Sequence, residues 1–164
     1  MRKGFTLIEM IMVIVIMGIF TASAIPVFVQ VAHAWQYQSL RNEIAESGRI
    51  AIDRMIREMR QINSSTSVVT ATGSAFKFTD TSSQSVYFYL SGSDLRMQIN
   101  GTDYELASGV SSLAFTYYDS TGAVIAVPAV SPAVTNIKRV RVDFTITAGN
   151  QPVEINSEVY PRRL

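Results

Sequence analysis

The chain offers few residues on which chemistry can be built. Its 164 residues contain one histidine, His33, and no cysteine. A hydrolytic triad has little to draw on, and thiol catalysis and Cys-ligated metals are excluded. Asp119-Ser120-Thr121-Gly122 has oxygen donors of the kind calcium takes, but a tight turn uses the same residue types. Lys138, Arg139 and Arg141 suit phosphate contacts, yet Arg139 and Arg141 flank no aromatic stacking platform in the sequence. With 14 basic against 13 acidic residues the net charge is +1. That balance makes no electrostatic case for nucleic acid, and these bases read as a solvated strand face. No phosphate loop, nucleophile elbow or metal-ligand cluster occurs. No catalytic residue, metal or cofactor is expected, so the chain does not read as an enzyme. One titratable group stands in an unusual setting. From Phe5 to Leu40 there is no Lys or Arg, and Glu9 is the only acid.

The element that carries Glu9 explains why that setting matters. A membrane-spanning helix needs about 20 mostly apolar residues. Phe5 to Ile25 supplies them, and apolar character continues weakly to Ala34. Arg2 and Lys3 precede the run and Arg41 is the next base. The positive-inside rule then leaves the N-terminus cytoplasmic and sends the remainder outward. Three readings fit such a segment. It is a permanent signal anchor, a secretory signal cut after Ala24 or Ala34, or a span in which Glu9 has a task. Ala22-Ser23-Ala24 and Ala32-His33-Ala34 both have the small-x-small form, but the apolar stretch is long for a signal peptide and contains an acid. A carboxylate at mid-bilayer costs about 2.5–3.5 kcal/mol, less near an end, and marks a functional site by default. His33, near the outer membrane face, reads as an interfacial residue.

Gly4-Phe5-Thr6-Leu7-Ile8-Glu9 resembles the processing site of type IV prepilins and type II secretion pseudopilins. The resemblance implies cleavage after Gly4 on the cytoplasmic side by a prepilin peptidase, and N-methylation of the new Phe5 amine. Glu9 falls at the family's glutamate position, Gly18 at a familiar small-residue position, and Pro26 at a proline that commonly interrupts the helix. Implied partners are other pilin or pseudopilin subunits, the inner-membrane assembly platform and membrane lipids. The chemistry is coherent. Cleavage removes two positive charges and leaves a cationic amine one helical turn from Glu9. In a staggered stack, Glu9 of one subunit can face the Phe5 amine of its neighbour, which neutralises both charges where neither has water.

After Pro26 the pattern becomes amphipathic. Leu40, Ile44, Gly48, Ala51, Ile52, Met55, Ile56, Met59 and Ile62 recur at three- and four-residue steps. Arg41, Glu46, Arg49, Asp53, Arg54, Arg57, Glu58 and Arg60 fill the remaining surface, with Asp53 and Arg57 as an i,i+4 pair. The helix is predicted to reach Ile62 and to end in the polar run Asn63 to Ser67. A bend or local melting is predicted at Pro26. From Phe5 to Ile62 such a helix is about 87 Å long, against a radius of gyration near 15 Å for a compact chain of this size.

From Val68 onward the signals are those of strands. Ser85 to Leu90, Leu95 to Ile99 and Tyr104 to Leu106 are joined by Ser91-Gly92-Ser93-Asp94 and by Asn100-Gly101, the strongest hairpin signal present. Ser112 to Tyr118, Ala123 to Val127, Ile137 to Thr147 and Val153 to Tyr160 complete the set. Val140, Val142, Phe144 and Ile146 alternate with Arg139, Arg141, Asp143 and Thr145, which predicts one buried and one wet face. Such a meander needs a cover, and the apolar stripe from Leu40 to Ile62 is available. The expected fold is therefore α+β, a long N-terminal helix packed on an antiparallel β head. The expected divisions are 1–4 leader, 5–34 membrane and assembly helix, 35–66 amphipathic helix and 67–164 head. The ending Ser157 to Leu164 also resembles that of J-type minor pseudopilins and W-type minor pilins. The lack of Cys departs from the disulfide loop of major pilins, and the resemblance therefore implies a minor subunit that initiates or caps a filament.

Overall fold

The computed structural model describes residues 6–129, 136–148 and 151–161. The expected leader (residues 1–4) and Phe5 lie outside them, as do most of the loop expected from Pro128 to Asn136 and the last three residues. The chain forms two compact units that divide between Leu40 and Arg41.

The first unit is helical. Helix α1 runs from Leu7 to Met59, and its residues up to Leu40 belong to this unit. Every described side chain here is exposed except that of Ala24, although most are apolar. The helix is long and apolar enough to cross a membrane. Pro26 lies inside it without a break in the helical run, so the predicted melting does not occur. Nearby, the hydroxyls of Thr21 and Ser23 donate back to the carbonyls of Met17 (2.8 Å) and Phe20 (2.9 Å), a local hydrogen bonding suited to apolar surroundings.

The second unit contains the rest of α1 and the strands. The amphipathic stripe is buried from Ile44 onward: Gly48, Ala51, Ile52, Met55 and Met59 are buried, with Ile44 and Ile56 partly so, whereas Leu40, expected at its start, is exposed and belongs to the first unit. The helix stops at Met59 rather than Ile62. Ile62 is instead captured by a bridge to Asp80, and Asn63 N–H donates to the Thr79 carbonyl at 3.3 Å. A strand-like contact outcompeted one further helical turn.

Two antiparallel sheets follow, in keeping with the expected antiparallel head. The first has the order β1-β2-β3-β4-β5, built from β1 (Val68–Ala71), β2 (Ala75–Thr79), β3 (Ser85–Ser91), β4 (Asp94–Ile99) and β5 (Thr102–Ala107). The β4–β5 turn is Asn100-Gly101, with φ of 49° and 90°, the left-handed pair that a two-residue hairpin demands. Asn100 Oδ1 also accepts the Ser85 N–H at 2.9 Å and so ties the turn to β3. The second sheet has the order β7-β6-β8-β9, from β6 (Val110–Tyr118), β7 (Val124–Ile125), β8 (Arg139–Ala148) and β9 (Gln151–Val159). The alternation predicted for β8 holds: Val140, Val142, Phe144 and Ile146 are all buried. Pro152 lies in β9, an edge strand, where a missing donor is tolerated.

The sheets meet through β6. Phe115 and Tyr117 from β6 lie 5.9 and 5.5 Å, ring to ring, from Phe76 of β2, and Phe78 continues the cluster to Phe88 of β3. Such tilted aromatic pairs add about 0.5–1.5 kcal/mol each beyond their burial. Tyr117 is fully buried, and its hydroxyl donates to the Thr72 carbonyl at 2.8 Å. The architecture is α+β, with the second part of α1 and the antiparallel sheets sharing one hydrophobic core.

Candidate functional site

The candidate site begins at the start of α1. Thr6 precedes the helix and acts as its cap: its carbonyl accepts the Glu9 and Met10 N–H groups at 3.1 and 3.3 Å. Its Oγ1 accepts the Glu9 N–H at 3.4 Å. Thr6-Leu7-Ile8-Glu9 therefore has the spacing of a capping box, with the acid at the third helical position. The signal was present in the sequence as Thr-x-x-Glu. An acid in this first turn also complements the positive end of the helix dipole. Glu9 is exposed, and no ion pair is formed to it by a described residue. Gly18 has open space where a side chain would be, Pro26 stays within the helix, and His33 is exposed.

The other groups singled out in the sequence have structural employment. Asp119 Oδ1 accepts the Thr121 N–H (2.8 Å), the Thr121 hydroxyl (2.7 Å) and the Ala123 N–H (3.0 Å). The Thr121 hydroxyl leads in holding this carboxyl below the usual range. That oxygen is engaged in closing the turn between β6 and β7. Arg141 forks onto Asp143, with Nε and Nη2 at 2.9 and 2.8 Å from Oδ1. Arg139 pairs with Glu158 at 3.0 Å, and its guanidinium lies 3.8 Å from the centre of the Tyr118 ring. An aromatic platform does exist beside Arg139, contrary to expectation. It is contributed by the cross-strand neighbour Tyr118, and it holds the arginine itself. Among the described residues no group of three or more His, Cys, Asp or Glu is placed to hold a metal.

Two acids are buried, one of them against expectation. Glu58, expected on the wet side of α1, is 7% exposed and pairs with Arg54 at 2.8 Å. That pair, not Asp53 with Arg57, is the helix's ion pair. Asp80 is 3% exposed, its Oδ1 accepting the N–H groups of Ser82 (2.8 Å) and Gln84 (2.7 Å). Both serve the fold, since hydrogen bonding is what lets a carboxylate remain buried.

The family model of the prokaryotic N-terminal methylation motif matches residues 1–25. No curated protein matches the chain. The matched stretch covers Arg2 and Lys3, the Gly4-Phe5 pair, Glu9 and the apolar run to Ile25, and stops just before Pro26. The chain therefore carries a prepilin-type motif at the head of a helix able to cross a membrane. This supports a pilin- or pseudopilin-like protein, anchored in a membrane and assembling with like subunits. It points to a structural subunit rather than an enzyme.

Proposed function

We propose that this protein is a minor pilin or pseudopilin that takes part in initiating or capping a type IV pilus or type II secretion pseudopilus. It inserts once in the bacterial inner membrane, N-terminus cytoplasmic and head periplasmic, before entering the filament. Prepilin peptidase cleaves after Gly4, and the Phe5 amine is methylated. The observation that carries this reading is the methylation motif across residues 1–25. Residues 1–4 are then leader, 5–34 the membrane and assembly helix, 35–66 its amphipathic continuation, and 67–164 the head that contacts other minor subunits. Pro26 supplies a point of bending for that helix, and Glu9 pairs with a neighbour's Phe5 amine.

The test is the mature N-terminus. A glycine before the scissile bond keeps the backbone uncrowded, so Gly4→Val is expected to leave Arg2 and Lys3 attached while insertion proceeds. Mass spectrometry of the membrane fraction, with a prepilin peptidase co-expressed, should find methyl-Phe5 in the wild type and Met1 in the variant. An unprocessed wild type instead favours a permanently anchored envelope domain, and a start at Ile25 or Trp35 favours a secreted β protein.

A further inference from the structure

Two aromatic side chains on α1 have no task in the reading above. Trp35 and Tyr37 are 76% and 68% exposed. Neither the indole Nε1–H nor the phenol hydroxyl has a hydrogen-bond partner among the described residues. Two positions apart, they lie about 200° apart around the helix axis. A protein-packing seam repeats at three and four residues, as the buried stripe from Gly48 to Met59 does. Rings on both sides of one helix turn instead suit surroundings that are alike in every direction.

Length locates those surroundings. The helix rises about 42 Å from Leu7 to Trp35 at 1.5 Å per residue, or about 39 Å along the normal at a typical tilt of about 20°. A bilayer with both headgroup layers is about 40–45 Å thick. With the N-terminal end of α1 at one surface, the two rings come to the opposite headgroup layer. The first charged residue after them in the sequence is Arg41. Trp and Tyr concentrate at that depth because an apolar ring and a polar tip are then both satisfied.

We propose that Trp35 and Tyr37 are the outer interfacial anchor of the helix, binding the lipid headgroup layer and fixing how far the chain sits through the membrane. The proposal rests on the membrane-anchored reading, and one experiment separates the two. The chain has a single tryptophan, so its fluorescence reports Trp35 alone. Full-length protein is reconstituted in phosphatidylcholine–phosphatidylglycerol vesicles carrying a nitroxide either at the headgroup or deep in the acyl chains. The headgroup nitroxide should quench Trp35 at least about twofold more than the deep one. Phe28→Trp and Leu40→Trp, each made with Trp35→Phe, are depth rulers: the first should reverse the preference, and the second should respond mainly to aqueous iodide. Stronger quenching of Trp35 by the deep label, or by iodide alone, in protein that floats with the vesicles overturns the anchor while leaving the membrane reading intact. Shielding of Trp35 from all three quenchers overturns it in favour of contact with another protein. Failure of the protein to float with vesicles at all overturns the membrane reading itself.

Discussion

Ile155 of β9 fills the space that a side chain at Gly48 of α1 would need. A Cβ placed on Gly48 would overlap Ile155 Cδ1 and come within 3.0 Å of Ile146 Cδ1. The helix can approach β8 and β9 this closely because position 48 has no side chain. The glycine is unfavourable within a helix by about 1 kcal/mol relative to alanine, so close packing is the physical reason to hold it there.

Gly48→Leu should therefore destabilise the protein by about 1–3 kcal/mol through overpacking. Gly48→Ala and Ile155→Val should be coupled, because the valine removes the Cδ1 that the new methyl meets. The double variant is expected to be more stable than the sum of the singles by about 0.5–1 kcal/mol. Thermal unfolding of the detergent-solubilised chain, followed by near-ultraviolet circular dichroism, reads both effects. Additive singles would mean that α1 shifts away from the sheet rather than resisting the methyl.

Tyr117 gives a pH prediction. Burial pushes its phenol well above the ordinary tyrosine range, so the native state holds that proton more tightly than the unfolded chain does. A group with a raised folded pKa contributes stability that is complete below its unfolded value, about 10, and declines as pH rises beyond it. Tyr117→Phe should cost about 1–2 kcal/mol at neutral pH, where the bond to the Thr72 carbonyl is lost. It should also flatten the alkaline decline. Some slope will remain, since the Asp103 hydrogen bond raises the Tyr89 phenol as well. Denaturant midpoints from pH 7 to 11 test this, and parallel curves for variant and wild type would exclude Tyr117 as a source of the slope.

The residues that declared themselves in the sequence did so through local rules. Asn100-Gly101 fixed a turn because few other pairs accept two positive φ values, and the β8 alternation fixed a face because the strand period is two. The stripe from Gly48 to Met59 was equally local. What escaped was set by competition between distant partners. Whether α1 ended at Met59 or Ile62 depended on Asp80, eighteen positions after Ile62, and the burial of Glu58 depended on how the sheets close over α1. Strands are also easier to find than to sort, because β6 joins β8 across twenty intervening residues while Phe76 reaches it from the other sheet. In the candidate site, Glu9 stood out because an acid is rare in such a run. Its relation to Thr6 was equally visible as Thr-x-x-Glu, but the apolar surroundings drew the reading to the membrane rather than to the helix end.

That double position of Glu9 sharpens the most discriminating prediction. If Glu9 pairs with a neighbouring Phe5 amine, Glu9→Leu should improve insertion, because a buried carboxylate is removed, yet impair recruitment into the filament, because the neighbour's ammonium loses its partner. The structure adds a second candidate role, since Glu9 occupies the third position of a helix capped by Thr6. Glu9→Gln separates the two. Glutamine keeps the length and the capping-box side chain but carries no charge, so under the charge-pair mechanism it should fail in recruitment as leucine does. Under a capping role it should behave as wild type, while Thr6→Ala, which removes the cap hydroxyl, should fail. The measurement is co-purification of full-length wild type and variants with the other subunits at matched membrane levels. A subunit at the very tip has none above it, so the loss is expected to be partial there and complete at an internal position. Equal recovery of Glu9→Leu, Glu9→Gln and wild type in the assembled complex would sink the charge-pair mechanism for this protein.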